Sequence, residues 1–295
     1  MITKMTTRKI NKNQYPFLLQ QIPNLPDEMH IAGDLPSNDN KFLCVVGSRL
    51  NSQYGRDACI KLISGLAGYP IVIVSGLALG IDSISHEAAL DAELTTLSFP
   101  GSGLSHEAIY PACHRQLAKK IVDSGGTLIS PFKLDQPGAD WTFPTRNRLM
   151  AGTSHATLIV EAAQGSGTLI TADYAATFGR DILTIPGSIF AELSYGPNML
   201  LRRGATPVAS SADILQALGF PVIRKDGMNQ ALPNFAEMAL SPQQKAIVDY
   251  LKIEPLSSTD LMTKTGLSSS KFNTIVSELE LLGTITEYNG RYKIA

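Results

Sequence analysis

The chain is poor in the features that would assign a function outright. Three cysteines, Cys44, Cys59 and Cys113, are scattered over 295 residues, too few for a disulfide framework or a cysteine-rich metal site. No run of about 18 apolar residues occurs, which excludes a membrane span on hydropathy. The N-terminus MITKMTTRKINKNQ is basic but has no apolar core or small-residue cleavage site, so it does not read as a secretory signal. These absences together describe a cytoplasmic chain with reduced thiols. Neither a G-x-G-x-x-G nor a Walker A sequence is present, so NAD, FAD or ATP is not expected and no cofactor is assigned. There is also no basic excess: the net charge is −1. Counterion release at phosphates needs several Lys or Arg, so any nucleic-acid site must be a local cluster.

What is present is ordinary globular composition, with 44% hydrophobic and 17% charged residues, which argues against disorder. Residues 41–220 alternate short apolar runs with helical patterns. The runs are KFLCVVG, YPIVIVSG, LTTLSFPG, GTLIS, ATLIVEA and DILTIPG. This alternation predicts an α/β doubly wound, mostly parallel sheet of Rossmann-like type, with ligands at the C-terminal strand ends. Residues 1–40 form a lead-in, and 221–240, with two prolines and no clear period, read as a linker. From Ser241, three short helical patterns and a hairpin signal at Asn289-Gly290 predict a winged-helix domain over 241–295. Phe272, Ile275, Leu279 and Leu282 form the apolar stripe of its third helix.

Three loops after predicted strands have the composition of phosphate cradles: Gly47-Ser48-Arg49, Ser75 to Asp82, and Pro100-Gly101-Ser102-Gly103. Glycines let a backbone approach an anion, and the helix N-termini beyond them offer unpaired N–H groups. The same glycines also serve a tight turn with no ligand. ADWTFPTRNRLMAG (139–152) places Arg146 and Arg148 just after Trp141 and Phe143, with Lys133 in the preceding loop. Arginine for phosphates and aromatics for stacking are the two ingredients of sequence-tolerant single-strand binding. The competing reading makes the aromatics core anchors and one arginine, Arg148 first, a structural partner. Gly165-Ser166-Gly167-Thr168 is a further anion-friendly turn, or a simple helix cap.

In the same order, GSR at 47–49, SGLALGID with His86, YP at 110–111, FPTRNRLMAG, VEAAQGSGTLITA and FGRDILTIPGS resemble the DprA (Smf) family. The resemblance covers about residues 15 to 220 and extends to YPFLLQQIPNLPDEMHIAGDLP; the C-terminal winged helix is similar to that of many members. It implies an extended Rossmann fold, a homodimer, sequence-independent binding of single-stranded DNA, and loading of the RecA recombinase, as in natural transformation. By position it implies DNA contacts at Gly47, Ser48, Arg49, Ser75, Gly76, Leu77, Gly80, Gly101, Ser102, Lys133, Phe143, Arg146 and Arg148. On that resemblance Arg49, the Ser75–Gly80 backbone and Arg146 would lie on or near the DNA backbone. Two departures stand out. Only 14 residues precede Tyr15, so the N-terminal helical domain of longer members is not expected, and Ser130-Pro131 replaces the usual Ser-Glu.

The rival is a nucleotide-processing enzyme related to phosphoribohydrolases that share the Rossmann-like core. Those carry P-G-G-x-G-T-x-x-E, whereas QGSGTLITA here has Thr171 where the acid would fall. Asp82, His86 and Glu161 are the remaining acid–base candidates, or else loop and turn organisers. A third reading, a nucleotide-sensing regulator with an operator-binding winged helix, is opposed by charge. Residues 241–295 contain six Lys/Arg and six Asp/Glu, and Lys271 on the third helix is countered by Glu278 and Glu280.

Overall fold

In the computed structural model, residues 5–221, 241–252, 254–281, 284–288 and 290–294 are described. The chain divides into two units, Met1–Val222 and Ile223–Ala295. Apart from Pro221, the expected linker lies outside the described residues, as does Leu282.

The first unit is one nine-stranded sheet. Its strands are β1 (Thr7–Asn11), β2 (Glu28–Ala32), β3 (Lys41–Val46), β4 (Ile71–Ser75), β5 (Thr95–Ser98), β6 (Thr127–Ser130), β7 (Ala156–Ile159), β8 (Asp181–Thr184) and β9 (Thr206–Pro207). They lie in the order β1-β2-β6-β5-β4-β3-β7-β8-β9. From β6 to β9 every pairing is parallel; β1–β2 and β2–β6 are antiparallel. The lead-in is therefore built into the sheet, and β2 extends it by pairing His30 with Ser130.

Strand alternation sends side chains to two cores. Leu43, Val45, Ile71 and Ile73 face one layer; Phe42, Cys44, Val46, Val72 and Val74 face the other. Burial on both faces explains why these strands read as continuous apolar runs. The helices are α1 (Phe17–Gln20), α2 (Gln53–Ser64), α3 (Ile81–Asp91), α4 (Arg115–Asp123), α5 (Thr142–Thr153), α6 (Gly167–Thr177), α7 (Tyr195–Arg202) and α8 (Ser211–Ala217). Helices α2, α3 and α8 cover the first layer through Cys59, Leu62, Ile63, Ile84, Ala88 and Ile214. Helices α1, α5, α6 and α7 cover the second through Leu19, Leu149, Met150, Ala172 and Leu200.

In the second unit, α9 (Pro242–Leu251), α10 (Ser258–Thr265) and α11 (Ser269–Leu281) enclose Ile247, Val248, Leu251, Leu261, Phe272, Ile275 and Leu279. Ser241 caps α9 in a reciprocal pair with Gln244, and Pro242 opens the helix, as the favoured N-terminal arrangement requires. The wing has three strands rather than two. Besides β11 (Ile285–Tyr288) and β12 (Arg291–Ile294), a two-residue β10 (Leu256–Ser257) pairs with β12. A pairing this short has no periodicity to read.

Candidate nucleic-acid interface

Strand β3 is the switch point of the sheet. The chain builds outward through β4, β5 and β6, then returns to place β7 on the other side of β3. The loops after β3 and β7 therefore part and leave a crevice at their C-terminal ends. A groove of about 800 Å³ lies there, lined by Gly47–Leu50, Phe143, Arg146, Asn147 and Gln164–Thr168. Ser166 caps α6 by accepting from Thr168 N, and the Thr168 hydroxyl donates to the Gly47 carbonyl at 3.0 Å. The two sides of the crevice are thereby tied at their base.

Two glycines are required by close approach. A Cβ on Gly47 would meet the Ile81 side chain at 2.6 Å. Gly80 has φ +76, and a Cβ there would lie 2.3 Å from the Ser48 carbonyl. That same carbonyl accepts from Ile81 N at 3.2 Å, so the GSR and SGLALGID loops form one hydrogen-bonded unit.

Above this floor stands a row of side chains. Arg49 is exposed and its guanidinium carbon lies 5.0 Å from the centre of the Phe143 ring, within cation–π range. The Phe143 ring is 5.7 Å from that of Tyr110, which is half-exposed. Gly101 makes room for the row, since a Cβ there would sit 2.5 Å from Phe143. Lys133 is exposed, and Trp141 is exposed while set edge-on to Phe132 at 5.4 Å.

Other expected contact residues lie beneath the surface. Ser75 is buried and donates to the Val45 carbonyl at 2.7 Å. Ser102 is buried, donates to the Gly103 carbonyl and accepts from Tyr110 N. Leu77 is buried with φ +60, and its carbonyl accepts from His114 Nδ1 at 2.8 Å. Gly76 and Gly101 are buried as well. Short polar residues at strand ends are consumed here in satisfying neighbouring backbone.

Arg146 is held from several sides. It is only 5% exposed, with Nη2 3.4 Å from Asp82 Oδ2 and Nη1 donating to the Phe99 carbonyl at 3.3 Å. Its guanidinium fills the space where any Gly76 side chain would be: a Cβ would sit 1.1 Å from Nη1. Burial pushes the Asp82 carboxyl above its ordinary range, and the Arg146 charge is the largest influence opposing it. Arg146 is thus a staple between α5, α3 and the loops after β4 and β5, set nearly buried in the wall of the groove. Arg148 is also occupied, donating to the carbonyls of Pro23 and Asn24 and so holding the lead-in against α5. Sequence reasoning passed over Tyr110 as the ring neighbour of Phe143 and Asp82 as the partner of Arg146; the first was visible only as part of the YP motif.

The acid–base candidates are engaged in structure. Glu161 accepts from both the backbone and the hydroxyl of Ser52, which caps α2. His86 is fully buried; Thr96 Oγ1 donates to the Ile73 carbonyl and accepts from His86 Nδ1 at 2.6 Å. Burial pushes His86 down to about 3. In the unfolded chain it takes up a proton below about pH 6.5, whereas in the fold it stays neutral. The stability it contributes is full above pH 6.5 and is lost as pH falls toward 3, at about 1.4 kcal/mol per unit. Urea melts at pH 7 and pH 5 should show this loss, and His86→Asn should shrink it. An undiminished loss in the variant would remove His86 as its source.

The family model for DNA recombination-mediator protein A matches residues 6–219 of this sequence, and that for the DprA winged helix domain matches 231–291. The chain belongs to the DNA recombination-mediator protein A family. It is 38% identical over 206 residues to protein Smf of Escherichia coli, covering 70% of this chain and 54% of that protein. It therefore spans about half the length of that relative. With DNA processing protein DprA of Streptococcus pneumoniae the identity is 36%, covering 70% and 72% of the two chains. The solved structure of the S. pneumoniae protein superposes with a TM-score of 0.67 at 35% identity, covering 74% of this chain and 75% of that one. A structure of DNA processing protein A from Helicobacter pylori, concerned with the single-stranded DNA binding mode of that protein, gives 0.65 at 25% identity. It covers 72% and 96% of the two chains. Among the described residues no helix is long and apolar enough to cross a membrane.

Proposed function

We propose that the chain binds single-stranded DNA, without sequence preference, along the C-terminal edge of the sheet. The observation that carries this reading is the Arg49–Phe143–Tyr110 row above a glycine-lined groove. It pairs one exposed guanidinium with aromatic faces that any base can stack on, which is how sequence-tolerant single-strand sites work. In this reading Arg49 and Lys133 meet phosphates, Phe143 and Tyr110 meet bases, and Gly47, Ser48 and Gly80 supply close backbone. Ser75, Gly76, Leu77, Gly101, Ser102 and Arg146 shape that surface from below.

Family membership supports the further steps: action as a homodimer in the cytoplasm, transfer of the strand to a RecA recombinase, and DNA-mediated transformation in a competent host. The winged helix, with balanced charge, suits a protein-interaction or regulatory role better than operator binding. The enzyme reading loses support because Thr171 stands in place of an acid and Asp82, His86 and Glu161 are occupied. Titration of labelled oligo-dT and the matching duplex at two salt concentrations tests the proposal. Salt-sensitive preference for the single strand is expected; equal binding or none would turn attention to base release from nucleoside monophosphates.

A further inference from the structure

Beyond the groove, on the side of β8, lies a second cavity of about 670 Å³. Glu192 and Leu193 line both, so the two adjoin across these residues. Tyr54 and Pro186 wall the second cavity, and the adjoining turn carries Ile189 at 83% and Phe190 at 94% exposure. A single exposed apolar residue needs no explanation, but two adjacent ones on a turn whose Pro186 is hydrogen-bonded to a half-exposed tyrosine do.

The backbone beneath this patch is held on several sides. Tyr54 donates its hydroxyl to the Pro186 carbonyl at 2.9 Å. Asn198 clamps Gly187, accepting from its N–H and donating to its carbonyl. Ser188 accepts from Phe190 N through its hydroxyl and from Ala191 N through its carbonyl. Phe190 is thus displayed on ordered backbone at full exposure, so little ordering entropy is lost when something covers it.

We propose that a single strand held at Arg49 continues over Glu192 and Leu193 onto this Tyr54–Phe190 platform, where further bases stack. This rests on the reading of the groove as a single-strand site. No Lys or Arg lines the second cavity, whereas Glu161 and Glu192 do, so phosphates there turn away into solvent. The platform therefore adds affinity through ring faces, and that increment does not depend on salt. A protein partner docking on the same patch would need apolar area but no ring.

The test is fluorescence anisotropy with a thymidine hexamer and a twenty-mer at two salt concentrations, on the full chain. Phe190→Leu keeps the apolar bulk and removes the ring; Phe190→Trp keeps a ring. Phe190→Leu should bind the twenty-mer about tenfold more weakly than wild type, with the hexamer and the salt slope unchanged. Phe190→Trp should retain wild-type affinity for both. Wild-type affinity of Phe190→Leu for the twenty-mer, or equal weakening on both lengths, would overturn the extended path. If Arg49→Ala left hexamer binding intact, the groove reading itself would fail, which is a separate result.

Discussion

Replacing Arg146 with alanine is expected to lower the melting temperature by about 10 °C, more than any single substitution in the exposed row. Removing one partner of a buried ion pair typically costs about 3–5 kcal/mol, because the other charge stays buried without compensation. A domain of this size loses about 2–4 °C per kcal/mol. Asp82 is the partner left behind, 4% exposed and beneath the loop that runs from Gly76 to Gly80. The space vacated beside Gly76 adds a cavity term in the same direction. Calorimetry on Arg146→Ala, Asp82→Asn and the double variant measures the pair directly. The double variant should be less destabilised than the sum of the two singles, since the uncompensated carboxylate is then absent. An Arg146→Ala protein that melts like wild type yet loses single-strand binding would restore Arg146 as a direct contact.

The buried pairing of Arg146 with Asp82 shows what local sequence conveys and what it cannot. The parallel strands were legible because burial on both faces makes each a continuous apolar run, IVIVS being the clearest. The winged helix was legible because Ser241-Pro242 and Gly266 mark helix ends and Gly290 marks a hairpin, each by a local conformational requirement. The groove floor was legible too, since glycines at 47 and 80 are demanded where backbone meets backbone or a buried side chain. The burial of Arg146 was not legible, because FPTRNR is basic and aromatic only along the chain. In space α5 turns Arg146 inward to Asp82 and leaves Phe143 at the surface. Arg148 followed its structural reading, but its acceptors, the carbonyls of Pro23 and Asn24, belong to a lead-in whose place in the sheet is set by distant pairing with β6. Tyr110 was passed over for a similar reason: its neighbour Phe143 arrives from another helix.

With Arg146 buried, the electrostatic share of binding proposed above falls on Arg49 and Lys133, and Arg49→Ala should weaken single-strand affinity by at least about tenfold at moderate salt. Two losses combine: a charge-assisted phosphate contact and the cation–π partner that orients Phe143, each about 1 kcal/mol or more. Because one phosphate contact disappears, the slope of log affinity against log salt should shrink by about 0.7, the single-strand value per neutralised phosphate. The melting temperature should hold, since the side chain is exposed and has its ring contact only at the surface. Arg49→Lys separates the two losses: it keeps the charge, and so the slope, but gives up the planar guanidinium that lies over the ring. Phe143→Ala separates them the other way, reducing affinity with the slope unchanged. Salt-dependent titrations of the three variants against oligo-dT therefore assign charge and stacking to different side chains. Wild-type affinity and slope in Arg49→Ala would mean that the strand does not cross this row.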